Sequence, residues 1–263
     1  MPTDLFSDVS GFFWVAMGAF MAGGMNALAG GGTFFSFPAL LAAGVPPVTA
    51  NASNTVALWP ASLSGAWAYR HELRRHPATL PALTAVAFVG GILGGLLLLL
   101  ISNAAFTRLI PWLLLLATAL FTFSGPIGRW VKQFGTPSPE HQALSYPALF
   151  GQFLVTVYGG FFGAGQGILT LAALSIQGIQ EIQTLNALKN WISAVTYTVS
   201  ALTFIVAGAI SWPHTLLMLI TASAGGYAGA HLAQRLPAQV LRVLIITVGT
   251  TLTLIYFSKT AGA

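Results

Sequence analysis

Apolar runs, most of them long enough to cross a hydrocarbon core of roughly 30 Å, follow one another along nearly the whole chain. They fall at approximately 9–29, 33–43, 48–69, 78–101, 104–124, 144–164, 167–178, 182–208, 213–233 and 238–257. A chain built this way folds in lipid, where backbone polar groups must be satisfied within the protein and helices do so locally. Only 6% of the 263 residues are charged, against about a quarter in an ordinary soluble domain. The sequence therefore predicts an all-α, polytopic integral membrane protein: a single membrane domain over 1–263, with the lipid bilayer as its surroundings. The first run has no basic flank before it and leads at once into more membrane sequence, so it reads as a mature helix. The absence of cysteine excludes disulfides, thiolate metal sites and cysteine nucleophiles. The net charge of +5 is carried by loops, and no basic run points to nucleic acid.

Two segments, 33–43 and 167–178, are short. At about 1.5 Å per residue each reaches only half-way through the core, so each has to stop inside protein. A polar stretch, "PIGRWVKQFGTPSPEHQALSYP" (126–147), reads as a cytoplasmic linker between a first repeat at 9–125 and a second at 144–257. At a constant offset of 135, Gly24, Ala29, Gly30, Gly32, Thr49, Asn51 and Ala52 match Gly159, Ala164, Gly165, Gly167, Thr184, Asn186 and Ala187. The same register pairs Gly90, Gly91 and Gly94 with Gly225, Gly226 and Gly229, which implies an internal duplication of about five helical segments per copy. Loop charge sets the orientation. Arg70, Arg74 and Arg75 have no basic counterpart near 210–215, whereas Arg235 and Arg242 stand against a lone Arg108. With Arg129 and Lys132 also cytoplasmic, the repeats are inverted and both termini are non-cytoplasmic. Each repeat is then either five segments or a re-entrant hairpin plus three helices.

Broken helices survive in hydrocarbon only where they are buried or line a polar cavity. Gly30, Gly31 and Gly32 precede Thr33 and one short helix; Gly163, Gly165, Gln166 and Gly167 open the other. Free N–H groups at such ends suit an anion, although small residues also serve close helix packing. Just after the breaks, "TANASNT" places Asn51, Asn54 and Thr55 on one helical face, and "TLNALKN" places Asn186, Lys189 and Asn190 on the matching one. Lys189 stands out, because a cation at mid-helix costs about 2.5–3.5 kcal/mol on insertion scales unless something answers its charge. Its alternative is snorkelling to the surface, and for the Asn and Thr residues it is interhelical bonding. Glu181 and His231 are weaker candidates for ion coupling, against a first-turn carboxylate and an interfacial histidine.

The segment "NALAGGGTFFSFPALLAAGVPPVTANASNTVALWP" and its echo "GGFFGAGQGILTLAALSIQGIQEIQTLNALKN" resemble the paired signature of the TauE/SafE family of sulfite and organosulfonate permeases over essentially the whole chain. The resemblance implies a bacterial-type inner-membrane transporter whose partner is a small anionic sulfur compound such as sulfite or sulfoacetate, often exported. It carries Gly31, Gly32, Asn51, Asn54, Gly165, Gly167, Asn186 and Lys189 into the site. "GAGQG" stands where the first motif has "LAGGG", so the half-sites are not chemically equivalent. No cofactor, metal or catalytic residue is called. An intramembrane enzyme or assembly factor is the rival reading, and it would want a convergent His/Asp/Glu set rather than the scattered Glu181, His214 and His231. Transport of another small anion, a channel and a homodimer stay open.

Overall fold

The computed structural model describes residues 3–28, 31–134, 145–177, 179, 181–233 and 238–261, and every regular element among them is helical. In chain order these are α1 (Thr3–Leu28), α2 (Thr33–Ala42), α3 (Pro47–Ala68), α4 (Arg70–Leu73), α5 (Leu80–Leu100), α6 (Asn103–Phe134), α7 (Tyr146–Phe161), α8 (Gln166–Ile176), α9 (Ile182–Val206), α10 (Trp212–Ala233) and α11 (Ala238–Ala261). All ten apolar segments are present, and α4 adds one turn in the loop after α3. Proline stands in the first turn of α3, α5 and α7, where its missing N–H costs no helical bond. One boundary differs from expectation. Helix α6 continues to Phe134 through the start of the stretch read as a linker, and its 32 residues span about 48 Å, longer than the hydrocarbon is thick. Residues 135–144 of that stretch, the side chains of Arg129, Lys132, Arg235, Arg242 and His231, and Gly30 lie outside the described residues.

The polarity of the fold is that of a protein in lipid. Large apolar side chains cover the outside, among them Phe13, Trp14, Phe88, Leu100, Val206 and Ile220, while Thr33, Ser36, Asn51, Asn54, Gln152 and Gln166 are buried. Thr33, Ser36, Asn51 and Asn54 are bonded across helices, whereas the amides of Gln152 and Gln166 make no hydrogen bond within the protein.

Packing follows the internal offset. Helix α1 of the first half lies against α10 of the second, and α7 of the second half lies against α5 of the first. Glycine makes both contacts close: a Cβ on Gly225 would fall 1.9 Å from the Phe20 carbonyl, and one on Gly94 would fall 2.1 Å from that of Val157. Those glycines are explained by helix contact alone. Each half therefore packs its first helix onto the glycine helix of the other.

Each half begins with a helical hairpin whose second limb is short. In the second half Gln166 lies on Gly159, and Gln177 Nε2 donates to the Ala148 carbonyl, so α8 runs back along α7. In the first half Gly32 lies on Ala22 and Gly11 on Ala43, so α2 returns along α1. Helices α3 and α9 are antiparallel, with Trp59 Nε1 donating to Thr198 (2.8 Å) at one level and Gly65 against Asn190 at another, and the Ser211 N–H, just before α10, donates to Ser53 (2.9 Å). Helix α5 runs parallel to α7 and α9, with Gly91 at Thr196 and Gly95 at Phe204. The two breaks thus reach the middle of the bundle from opposite ends.

Candidate functional site

The first break is closed by its own residues. Ser36, one turn into α2, donates to Asn54 Oδ1, and Asn54 Nδ2 reaches Thr33 Oγ1 at 3.4 Å. Asn54 thereby spends both ends of its amide on α2, which holds the short helix against α3. Gly32 abuts the Ala22 carbonyl, with 2.5 Å to a notional Cβ, and Gly31 abuts Ile245 of α11. Both glycines are therefore occupied by neighbours. Thr55 donates to the Asn51 carbonyl in its own helix at 3.0 Å and contributes nothing across the break.

The second break differs. Gly163 and Gly165 have φ of +80° and +78°, a left-handed conformation that glycine adopts without strain and that turns the chain sharply from α7 into α8. Tyr158 ties the turn from inside, donating to the Ala164 carbonyl at 2.7 Å. Backbone bonds here run from Gly163 N–H to Tyr158, from Gln166 N–H to Gly163, and from Ile168 and Leu169 N–H to Gly165. The N–H groups of Ala164, Gly165 and Gly167 have no backbone acceptor among the described residues. Lys189 lies alongside Gly167, its stem 3.6 Å from where a Cβ would stand. Its ammonium meets Asn186 Oδ1 at 3.4 Å, long for a charge-assisted bond, which is typically about 2.7–2.9 Å. No described carboxylate pairs with it; the ion pairs among the described residues join Glu72 to Arg75 and His76.

Other residues join the two breaks. Asn51 donates to the Phe161 carbonyl at 2.8 Å, fastening α3 to the end of α7, while its buried Oδ1 makes no bond within the protein. The Tyr197 hydroxyl on α9 lies over Gly163, 3.0 Å from where a Cβ would stand, and beside Thr33, so one tyrosine reaches both breaks. Asn190 instead packs on Gly65 in the α3–α9 seam. The structure therefore groups Thr33 with Asn54, and Gly167 with Lys189 and Asn186; it turns Gly165 toward Leu120 and Ala117 of α6 and Gln166 toward Gly159 of α7, and it leaves Thr55 and Asn190 aside. Ser36, Tyr158 and Tyr197 are additions to the residues chosen from sequence. Ser36 lies one turn beyond Thr33, which is the signal that would have found it; Tyr197 has none beyond a polar neighbourhood in "AVTYTVS".

Both ends of this region are covered. On one side Phe37, Phe106, Phe161 and Phe162 stack edge to face, bringing α2 and α6 onto the α7–α8 turn. On the other, α4 lays Leu73 on Leu83, Leu174, Leu185 and Leu188, and adds a polar cluster. There the Thr184 hydroxyl lies 3.1 Å from Glu72 Oε1 and 2.9 Å from Glu181 Oε2, and His76 Nε2 is within 3.3 Å of Glu72. Burial raises the pKa of Glu72, but the hydrogen bonds from Thr184 and His76 and the charge of Arg75 outweigh it, and the net shift is downward. Glu181 is solvent-exposed at the start of α9, beside the Thr184 hydroxyl.

Among the described residues no cluster of three or more His, Cys, Asp or Glu side chains can hold a metal ion. The family model for the sulfite exporter TauE/SafE matches residues 15–256. A probable membrane transporter protein of Haemophilus influenzae is 28% identical over 241 residues, covering 89% of each chain. The probable membrane transporter protein YfcA of Escherichia coli K12 is 27% identical, over 91% of this chain and 86% of its own. The probable membrane transporter protein ORF9 of a Sinorhizobium species is 26% identical, over 95% and 92%. No solved structure matches the chain. The residues at both breaks lie within the matched range, and the chain belongs to the TauE/SafE family of membrane transporters.

Proposed function

We propose that the chain is a secondary transporter that exports a small sulfur-containing oxyanion such as sulfite or a sulfonate. The observation that carries this is Lys189, a cation within a 25-residue apolar helix, lying along the first turn of α8 with only a neutral amide oxygen near its charge. A lysine ammonium near free backbone N–H groups attracts an oxyanion. The sulfur chemistry and the outward direction rest on the family's description as a sulfite exporter. Transport follows from the two covers. Opening the phenylalanine cluster exposes the site to one side, and opening the α4 cover exposes it to the other, as inverted halves do when they rock about a central site. With the α4 end cytoplasmic in a bacterial inner membrane, both termini lie outside the cytoplasm. Glu181 and His231 would be the groups linking this cycle to protons.

The test is flux into proteoliposomes offered sulfite, sulfoacetate, taurine and sulfate, with and without an imposed pH gradient. Saturable flux of a sulfur oxyanion is expected. Flux confined to other anions would remove the sulfur assignment, and a gradient without effect would remove the proton link.

A further inference from the structure

The side chain of Gln166 is only 2% exposed, and neither its amide nitrogen nor its amide oxygen makes a hydrogen bond within the protein. It rests on Gly159, where a Cβ would stand 2.3 Å from the amide carbon, so the glycine makes room for it. It is also the first residue of the eleven-residue α8, flanked in the chain by Gly165 and Gly167, whose N–H groups have no backbone acceptor among the described residues, and Gly167 is the glycine that the Lys189 stem lies against. The matching position of the first half is Gly31, which carries no amide.

The groups around this turn differ in what they ask of a ligand. Backbone N–H groups and an ammonium only donate, so the oxygens of any small oxyanion satisfy them. A primary amide donates at one end and accepts at the other, whichever way it is turned. Its oxygen is left bare by sulfate or by a simple alkyl sulfonate, which offer acceptors alone. A buried polar atom without a partner is penalised, so a ligand that brings its own O–H or N–H gains at this position.

Building on the anion-transporter reading, we infer that the site selects oxyanions carrying a hydrogen-bond donor: a hydroxyl, an amino group or a protonated oxygen. Gln166 is the specificity-determining residue and Lys189 the charge anchor. An anion without a donor binds through Lys189 and the N–H groups but loses the contact to the amide oxygen.

Matched ligand pairs test this in the purified full-length protein. Binding is measured for 2-hydroxyethanesulfonate against ethanesulfonate, and for 3-hydroxypropanoate against propanoate. The hydroxylated member is expected to bind about tenfold or more tightly in whichever pair binds. Gln166→Met, close in shape but without the amide, is expected to bring the ratio near one while the anions still bind. Equal affinity within a pair in the wild type overturns the donor requirement and leaves the anion transporter standing. A ratio that survives Gln166→Met assigns the selectivity to another group and overturns the role of Gln166. Failure of all four anions to bind overturns the anion reading and the inference with it.

Discussion

The two breaks share a sequence pattern at an offset of 135, yet their side chains meet different partners. At the first, Thr33, Ser36 and Asn54 bond to one another and the short helix is fixed. At the corresponding places of the second stand Ile168, Leu171 and Lys189, so the mutual bonds are gone and a charge has taken the place of the amide. Gly31 has meanwhile become Gln166, whose amide has no partner in the protein. Thr33, Ser36 and Asn54 thus satisfy one another at the first break, and the Gln166 amide at the second is left without a partner in the protein. A buried polar group that lacks a partner costs stability, and a ligand that supplies the partner recovers that cost. Of the two breaks, we assign the first to architecture and the second to the ligand.

The largest effect that would break this contrast concerns Lys189. Replacing it by alanine is expected to weaken anion binding about 10- to 100-fold, the worth of a bond to a charged group, while the protein still inserts and elutes as a single species. Unchanged binding in a titration would favour snorkelling. Next come the glycine contacts, where the halves should behave alike. Gly225→Ala and Gly94→Ala each drive a Cβ into a facing carbonyl, and each is expected to cost about 1–3 kcal/mol of stability, read as a lower melting temperature in detergent. A loss in only one of them would contradict the exchanged packing of the halves.

Asn54→Ala sharpens the comparison from the other side. It removes the partner of Ser36 and Thr33, so a stability loss of about 1–2 kcal/mol is expected with little change in affinity. A loss of affinity as large as that of Lys189→Ala would make the half-sites equivalent. The smallest effect lies at the α4 cover. Because the pKa of Glu72 is lowered in the fold, its contribution is fully present above the ordinary carboxylate value of 4.5 and is lost as pH falls through the lower folded value. Wild-type protein should therefore lose more melting temperature than Glu72→Gln between neutral pH and about pH 3. Equal losses would show that the Glu72, His76 and Thr184 cluster does not hold α4 in place.

Much of the helical plan was legible because its cause is local. An apolar run bounded by proline or glycine forms a helix in lipid whatever surrounds it, which is why α2 and α8 were visible as short segments. The end of α6 was harder to read, since Gly125 and Pro126 look like a stop and the helix continues through them. Lys189 was visible as a charge in an apolar run, and Asn54 as a polar group on the matching face. What each of them meets was not visible. Ser36 and Asn54 are 18 positions apart and Thr184 and Glu72 are 112 apart, so only the folded chain shows that one pair seals a break and the other secures a loop. Tyr197 bridges both breaks through a hydroxyl at the end of a long side chain, a reach that helical periodicity does not encode.

The most direct test of the asymmetry is to locate the anion. Selenite, the selenium counterpart of sulfite, can be found by anomalous scattering in crystals of the protein. We expect the selenium peak at the first turn of α8, within bonding reach of the Lys189 ammonium. A peak at Thr33 and Asn54 instead, or equal peaks at both breaks, would contradict the assignment of the ligand to the second half.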